Sequence, residues 1–280
     1  MKIAFFGASQ YVLPILETLN KNFELALVVT TESEPGDAVP SYCKQNSIPY
    51  LSVEKITNEV IEKIRKVDAP IAALAYFGLI VPAKALELFP HGIINIHPSL
   101  LPKYRGPTPV QTALLHGEAI TGVTIIKLDA EVDHGPILAQ TTEPINSDDT
   151  THTLHERLFP KGAGLLQDVF KKIENQEPVN EKQQDHSQAT FTEHLTRQSG
   201  FFDIQNPPDR KQFDRMIRAY HPWPGVWTKL QMANGVWRIV KFLPEQKLQV
   251  EGKKPVSYKD FLNGYPEMRE KIGKFLMTNS

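Results

Sequence analysis

Cysteine is almost absent: Cys43 is the one such residue in 280. A single thiol closes no intramolecular disulfide, so a disulfide-stapled scaffold is excluded, and a lone thiol points to a reducing compartment, the cytoplasm. Long apolar runs are missing as well. The longest, Ile71 to Val81, is about eleven residues with a glycine inside it, against the ~20 a helix needs to cross a bilayer, so no membrane association is expected. The opening Met1–Gly7 is too short for the apolar core of a signal peptide, and no small-residue cleavage site follows it, so it reads as a first buried strand. There is no Walker A loop, CxxC pair or HExxH, which leaves nucleotide-triphosphate and zinc chemistry without residues to carry them. No metal is expected. In Gly7-Ala-Ser-Gln-Tyr-Val12 one glycine stands where a dinucleotide fingerprint needs three, which argues against a nicotinamide- or flavin-type oxidoreductase.

What is present is an ordinary globular composition, 41% apolar and 22% charged, in a chain about twice the ~150 residues of a typical domain. The formal net charge of -1 conceals an asymmetry. Residues 206–280 hold 14 Lys and Arg against 7 Asp and Glu, whereas residues 1–205 hold 17 against 25. A basic module beside an acidic one suits a polyanionic partner held by the tail; a solvated lysine-rich surface is the plainer alternative.

Lys2–Phe6, Glu24–Thr30, Ile71–Tyr76 and Ile93–Ile96 are rich in Ile, Val, Ala and Phe and lack alternating polarity, as expected for parallel strands covered on both faces. Between them, Val12–Leu19 and Ile56–Val67 space their aliphatics as helices do. The fold class is therefore α/β, a doubly wound, mostly parallel sheet. Val123–Leu128 and Pro136–Thr142 then form a strand pair turning around Asp133-His-Gly-Pro136, and a helix runs from about Thr151 to Glu174. We expect a catalytic domain over 1–175, a polar linker over 176–205 and a small β unit over 206–280. In that unit a helix over Pro208–Ala219 stops at His221-Pro-Trp-Pro-Gly225, and strands follow at Val226–Gln231, Val236–Phe242 and Lys247–Val250.

The chemistry-bearing stretch is Ile93 to Pro107. On a strand, Asn95 and His97 share a face, and Pro98 stops the strand directly after them. An amide donor beside a protonatable ring, at the carboxyl end of a parallel strand, suits oxyanion stabilisation and proton transfer in acyl transfer. Taken by themselves, the two residues read more simply as capping the strand and hydrogen-bonding the next loop. Asp129, Glu131 and Asp133 are all candidates to orient His97, and spacing does not choose among them.

The block Asn95-Ile-His-Pro-Ser-Leu-Leu-Pro-Lys-Tyr-Arg-Gly-Pro107, followed by Val110–Glu118 and Thr121-Gly-Val-Thr-Ile125, resembles the folate-dependent formyltransferases, most closely those acting on methionyl-tRNA. The family's Asn-x-His string with a downstream Asp-x-Gly implies that Asn95, His97 and Asp133 are catalytic, on a Rossmann-like formyltransferase fold. It implies 10-formyltetrahydrofolate as donor, held at Ser99, Leu100, Leu101 and Pro102 and at Phe77, Gly78, Leu79 and Ile80. Arg218–Val226 and Glu251–Gly264 are similar to the opening and closing segments of the family's C-terminal barrel, here a reduced β-barrel-like unit. The acceptor so implied is initiator methionyl-tRNA, met by Arg105, Lys253 and Lys254, for translation initiation by a monomeric enzyme. The same string also fits formylation of an amino-sugar nucleotide or hydrolysis of the folate donor, and a non-catalytic tRNA-binding remnant is the alternative from another class.

Overall fold

The computed structural model describes residues 1–34, 36–273 and 275, without the side chains of Glu270 and Lys271. The chain forms two compact units: one of residues 1–109, 120–144 and 155–192, the other of residues 110–119, 145–154 and 193–280.

The elements run β1 (Lys2–Gly7), α1 (Leu13–Asn22), β2 (Glu24–Thr30), α2 (Ala38–Gln45), β3 (Tyr50–Ser52), α3 (Asn58–Arg65), β4 (Ile71–Ala75), α4 (Ala83–Leu86), β5 (Ile93–His97), α5 (Pro109–His116), β6 (Ile120–Lys127), β7 (Ile137–Pro144) and α6 (Thr151–Glu174). Seven strands make one sheet in the order β3-β2-β1-β4-β5-β6-β7. The first five are parallel, and β6 and β7 pair antiparallel. From Ile3 onward every β1 residue is buried, which is why the strand shows no alternation. The order reverses between β1 and β4, and crevices at such a point, beyond the strand carboxyl ends, are where open α/β sheets bind ligands. On one side of the sheet Phe6 packs edge-on against Phe77 at 5.5 Å and Phe89 at 6.1 Å. Cys43 is buried in α2, and burial pushes its thiol up to about 11, so it stays protonated and serves packing.

The segments β3 and α4 escape the sequence pattern because three and four residues are too short to show a period. The polar stretch after α6 is anchored on the first unit as far as Thr192. Lys182 bridges Ile137, and Thr190 and Thr192 exchange backbone hydrogen bonds with Arg105.

The second unit continues with α7 (Arg210–Tyr220), β8 (Val226–Gln231), β9 (Trp237–Leu243), β10 (Lys247–Val250), β11 (Val256–Ser257) and α8 (Tyr258–Gly264). Asp209 starts α7 by accepting from the Gln212 N–H at 2.9 Å. The reduced barrel-like unit is a four-stranded antiparallel sheet of order β11-β10-β9-β8. Its core joins Phe202, Phe213 and Phe242, with ring centroids 5.2–5.4 Å apart. The β8 edge is partly covered by Phe201, which bridges Trp227. Among the described residues no helix is long and apolar enough to cross a membrane.

Candidate active site

Asn95 and His97 stand at the end of β5, two residues apart and so on one face of the sheet. The opposite face, carrying Ile96, meets α6 so closely that a Cβ on Gly162 would sit 2.7 Å from Ile96 Cγ2. Both polar side chains are withdrawn from water, at 6% and 4% exposure, and buried polar groups need partners. The Asn95 Nδ2 donates to Asp133 Oδ1 at 3.1 Å. His97 Nδ1 lies 3.4 Å from Asp133 Oδ2, and the Gly106 N–H donates to that same oxygen at 2.8 Å. His97 Nε2 is 2.8 Å from the Tyr104 carbonyl oxygen. An amide nitrogen carries two hydrogens, so Asn95 keeps one for a ligand.

Of the three carboxylates that spacing left open, Asp133 is the one brought beside the pair. Asp129 turns instead to the His134 ring, 2.6 Å away, and Glu131 is exposed. Asp133 takes a left-handed backbone, φ 47°. Gly135 explains the second half of the Asp-x-Gly spacing: a Cβ there would lie 1.8 Å from the Lys127 carbonyl oxygen. Replacing it by alanine must push the turn away. Because a misplacement of about 1 Å can cost on the order of 10²-fold in rate, Gly135→Ala is expected to lower by about that factor the kcat of whatever reaction the cluster carries. Full activity would show that the turn yields without moving Asp133.

The Ser99–Pro102 turn is braced from behind by Thr124, whose hydroxyl donates to the Ser99 carbonyl at 2.6 Å and accepts from the Leu101 N–H at 3.1 Å. Gln140 Nε2 donates to both Thr124 Oγ1 and the Leu101 carbonyl. Ser99 and Leu101 are buried, while Leu100 and Pro102 remain partly accessible. In the other expected donor segment, Phe77 belongs to the core, but Gly78 is exposed and Ile80 is 90% exposed. That segment follows β4, whose Leu74 is in register with Asn95, so it leaves the sheet one strand over from the pair.

Arg105 is 3% exposed. Its Nη2 donates to Gln184 Oε1 at 2.8 Å and lies 2.8 Å from His186 Nδ1, so here it braces its own loop. Lys253 and Lys254 belong to the second unit and are exposed between β10 and β11. Sequence reasoning missed Gln184, Thr124 and Gln140. Thr124 and Gln140 sit at strand positions facing β5 and its loop; Gln184 lies in a polar run whose composition carries no signal of burial. Among the described residues no group of three or more His, Cys, Asp or Glu could hold a metal ion.

A carboxylate, an imidazole and an amide gathered at the carboxyl end of a parallel strand have the groups to stabilise an oxyanion and move a proton, the work that acyl transfer needs. Comparison with known proteins narrows the class. Residues 1–170 match the formyl transferase family. Methionyl-tRNA formyltransferases of Chloroflexus aggregans and Thermus thermophilus are 38% and 35% identical to this chain, each over 81% of it and over 76% and 75% of their own lengths. Among solved structures, a sugar N-formyltransferase from Shewanella sp. FDAARGOS_354 shares the fold, with a TM-score of 0.66 over 85% of this chain and 95% of its own at 17% identity. The chain belongs to the formyl transferase family.

Proposed function

We propose that this protein transfers the formyl group of 10-formyltetrahydrofolate to the amino group of methionyl-initiator tRNA. The observation that carries the reading is the set of relatives named methionyl-tRNA formyltransferase, at 35–38% identity over 81% of the chain; the Asn95–His97–Asp133 cluster supplies the chemistry. The residues fit the donor. Gly78, with φ 74° and nothing within 4 Å of where a Cβ would stand, leaves backbone open to a flat heterocycle, and Ile80 offers apolar surface for a ring to cover.

When bound, 10-formyltetrahydrofolate supplies an electrophilic formyl carbon on a nitrogen leaving group. As the acceptor amine attacks that carbon, negative charge develops on the formyl oxygen, and the second Asn95 Nδ2 hydrogen donates to it. His97 carries the proton lost by the amine toward the departing nitrogen, and Asp133 keeps the imidazole in place. Burial of Asn95 and His97 raises the worth of each interaction by excluding water.

The test is formyl transfer to initiator methionyl-tRNA, with elongator methionyl-tRNA and an amino-sugar nucleotide as parallel acceptors. Formylation of initiator methionyl-tRNA is the expected result. Formylation of the sugar alone would keep the catalytic cluster and overturn the acceptor. If the basic tail grips tRNA, binding weakens as salt rises. Replacing both Lys253 and Lys254 by alanine should then lower the slope of log K against log salt by about 1–2. An unchanged slope would place the grip elsewhere.

A further inference from the structure

Behind the Asp133 carboxylate lies a buried glutamine that the reaction as described does not use. A left-handed backbone is unfavourable for an ordinary residue, and although aspartate tolerates it better than most, the conformation at Asp133 gains from outside support. Gln184 gives it. Only 6% exposed, its Nε2 donates to the Asp133 carbonyl at 2.9 Å and to the Gly135 carbonyl at 2.8 Å, while its Oε1 accepts from Arg105 Nη2 at 2.8 Å. The orientation of this carboxamide is forced. Turned over, its oxygen would face two carbonyl oxygens and its NH2 would face a guanidinium.

The grip extends on both sides of Gln184. Arg105 donates its N–H to the Thr190 carbonyl and accepts from the Thr192 N–H, each at 2.8 Å. Beyond it, the His186 ring lies flat on His134, with centroids 3.9 Å apart and planes 4° from parallel. Gly106, next to Arg105, holds Asp133 Oδ2 from the front. The segment around 184–192 thus fixes the peptide group that follows Asp133, the one that follows Gly135, and the loop that meets the carboxylate.

We propose that Gln184 is a positioning residue for formyl transfer, acting through Asp133: its doubly donating carboxamide sets the peptide planes that aim the carboxylate at Asn95 and His97. The proposal rests on the role given to Asp133 above. A side chain needed only to close the fold could be replaced by an apolar one of like volume without touching the chemistry, whereas one that sets an angle could not.

The experiment compares Gln184→Met and Gln184→Glu with Asp133→Asn and with the double variant of Gln184→Met and Asp133→Asn, all in the full chain, measuring kcat, KM for both substrates and the melting temperature. Methionine keeps the volume; glutamate keeps the Arg105 partner but sets an oxygen against the two carbonyls. In each Gln184 variant kcat is expected to fall about 10- to 100-fold with both KM values within about threefold. In the double variant the Gln184 change should cost less than about twofold beyond Asp133→Asn, because groups acting as a unit do not add. Should Gln184→Met fail to fold, Gln184→Glu carries the test. A kcat within threefold of the parent in both Gln184 variants, or losses that multiply in the double variant, overturns the proposal while leaving Asp133 its role. An Asp133→Asn enzyme of undiminished kcat sinks the catalytic reading itself, and the positioning role with it.

Discussion

Asp133→Asn is expected to lower kcat by about 10³- to 10⁴-fold, the size of effect that follows when a carboxylate orienting a catalytic imidazole becomes an amide. Asparagine is nearly the same shape, so the loss would come from the missing charge and the altered hydrogen-bond polarity rather than from packing. Both carboxylate oxygens of Asp133 face donors: Oδ1 faces Asn95 Nδ2, and Oδ2 faces the Gly106 N–H, with His97 Nδ1 3.4 Å from it. An amide in either orientation sets its NH2 against at least one of these donors, and a misfit of that kind in a buried site costs a full desolvation penalty. Single-turnover formylation with both substrates saturating measures the chemical step. A rate within tenfold of the parent enzyme would show that the carboxylate does not orient His97.

The Asn95→Ala variant should lose about 10² to 10³ in kcat, as removal of one oxyanion donor does elsewhere. The change deletes the donor and also strands Asp133 Oδ1, which accepts from Asn95 in the resting protein. A displaced Asp133 would therefore contribute to the loss, and the combination of Asn95→Ala with Asp133→Asn should be far from multiplicative. Asn95 is buried at a strand end with its backbone paired on both sides, to Leu74 and Ile126, so the fold should survive the truncation. A loss below about threefold would remove Asn95 from the reaction.

Glu32 has a structural use. It belongs to a short acidic run after β2, and its carboxylate accepts from the Ser9 N–H at 2.6 Å and the Val39 N–H at 2.8 Å. It ties the loop after β1 to the start of α2, a structural use of an acid near a helix N-terminus.

The sequence by itself determined the elements whose signal is local. Near-unbroken apolar character betrays β2, and the alternation of a half-buried strand betrays β10; both fall on the residues expected, as do β8 and the long helix α6. The pairing of Asn95 with His97 on one face needs nothing more than the two-residue period of a strand. Tertiary structure alone decided the partners. Periodicity says which face a side chain occupies, but it says nothing of what lies 38 residues away, the separation of Asn95 and Asp133, or 51, that of Asp133 and Gln184. The resemblance singled out Asp133, but what places it there physically is a left-handed turn, a glycine with no room for a Cβ and a buried amide from a polar run. These are long-range contacts, and no local pattern encodes them.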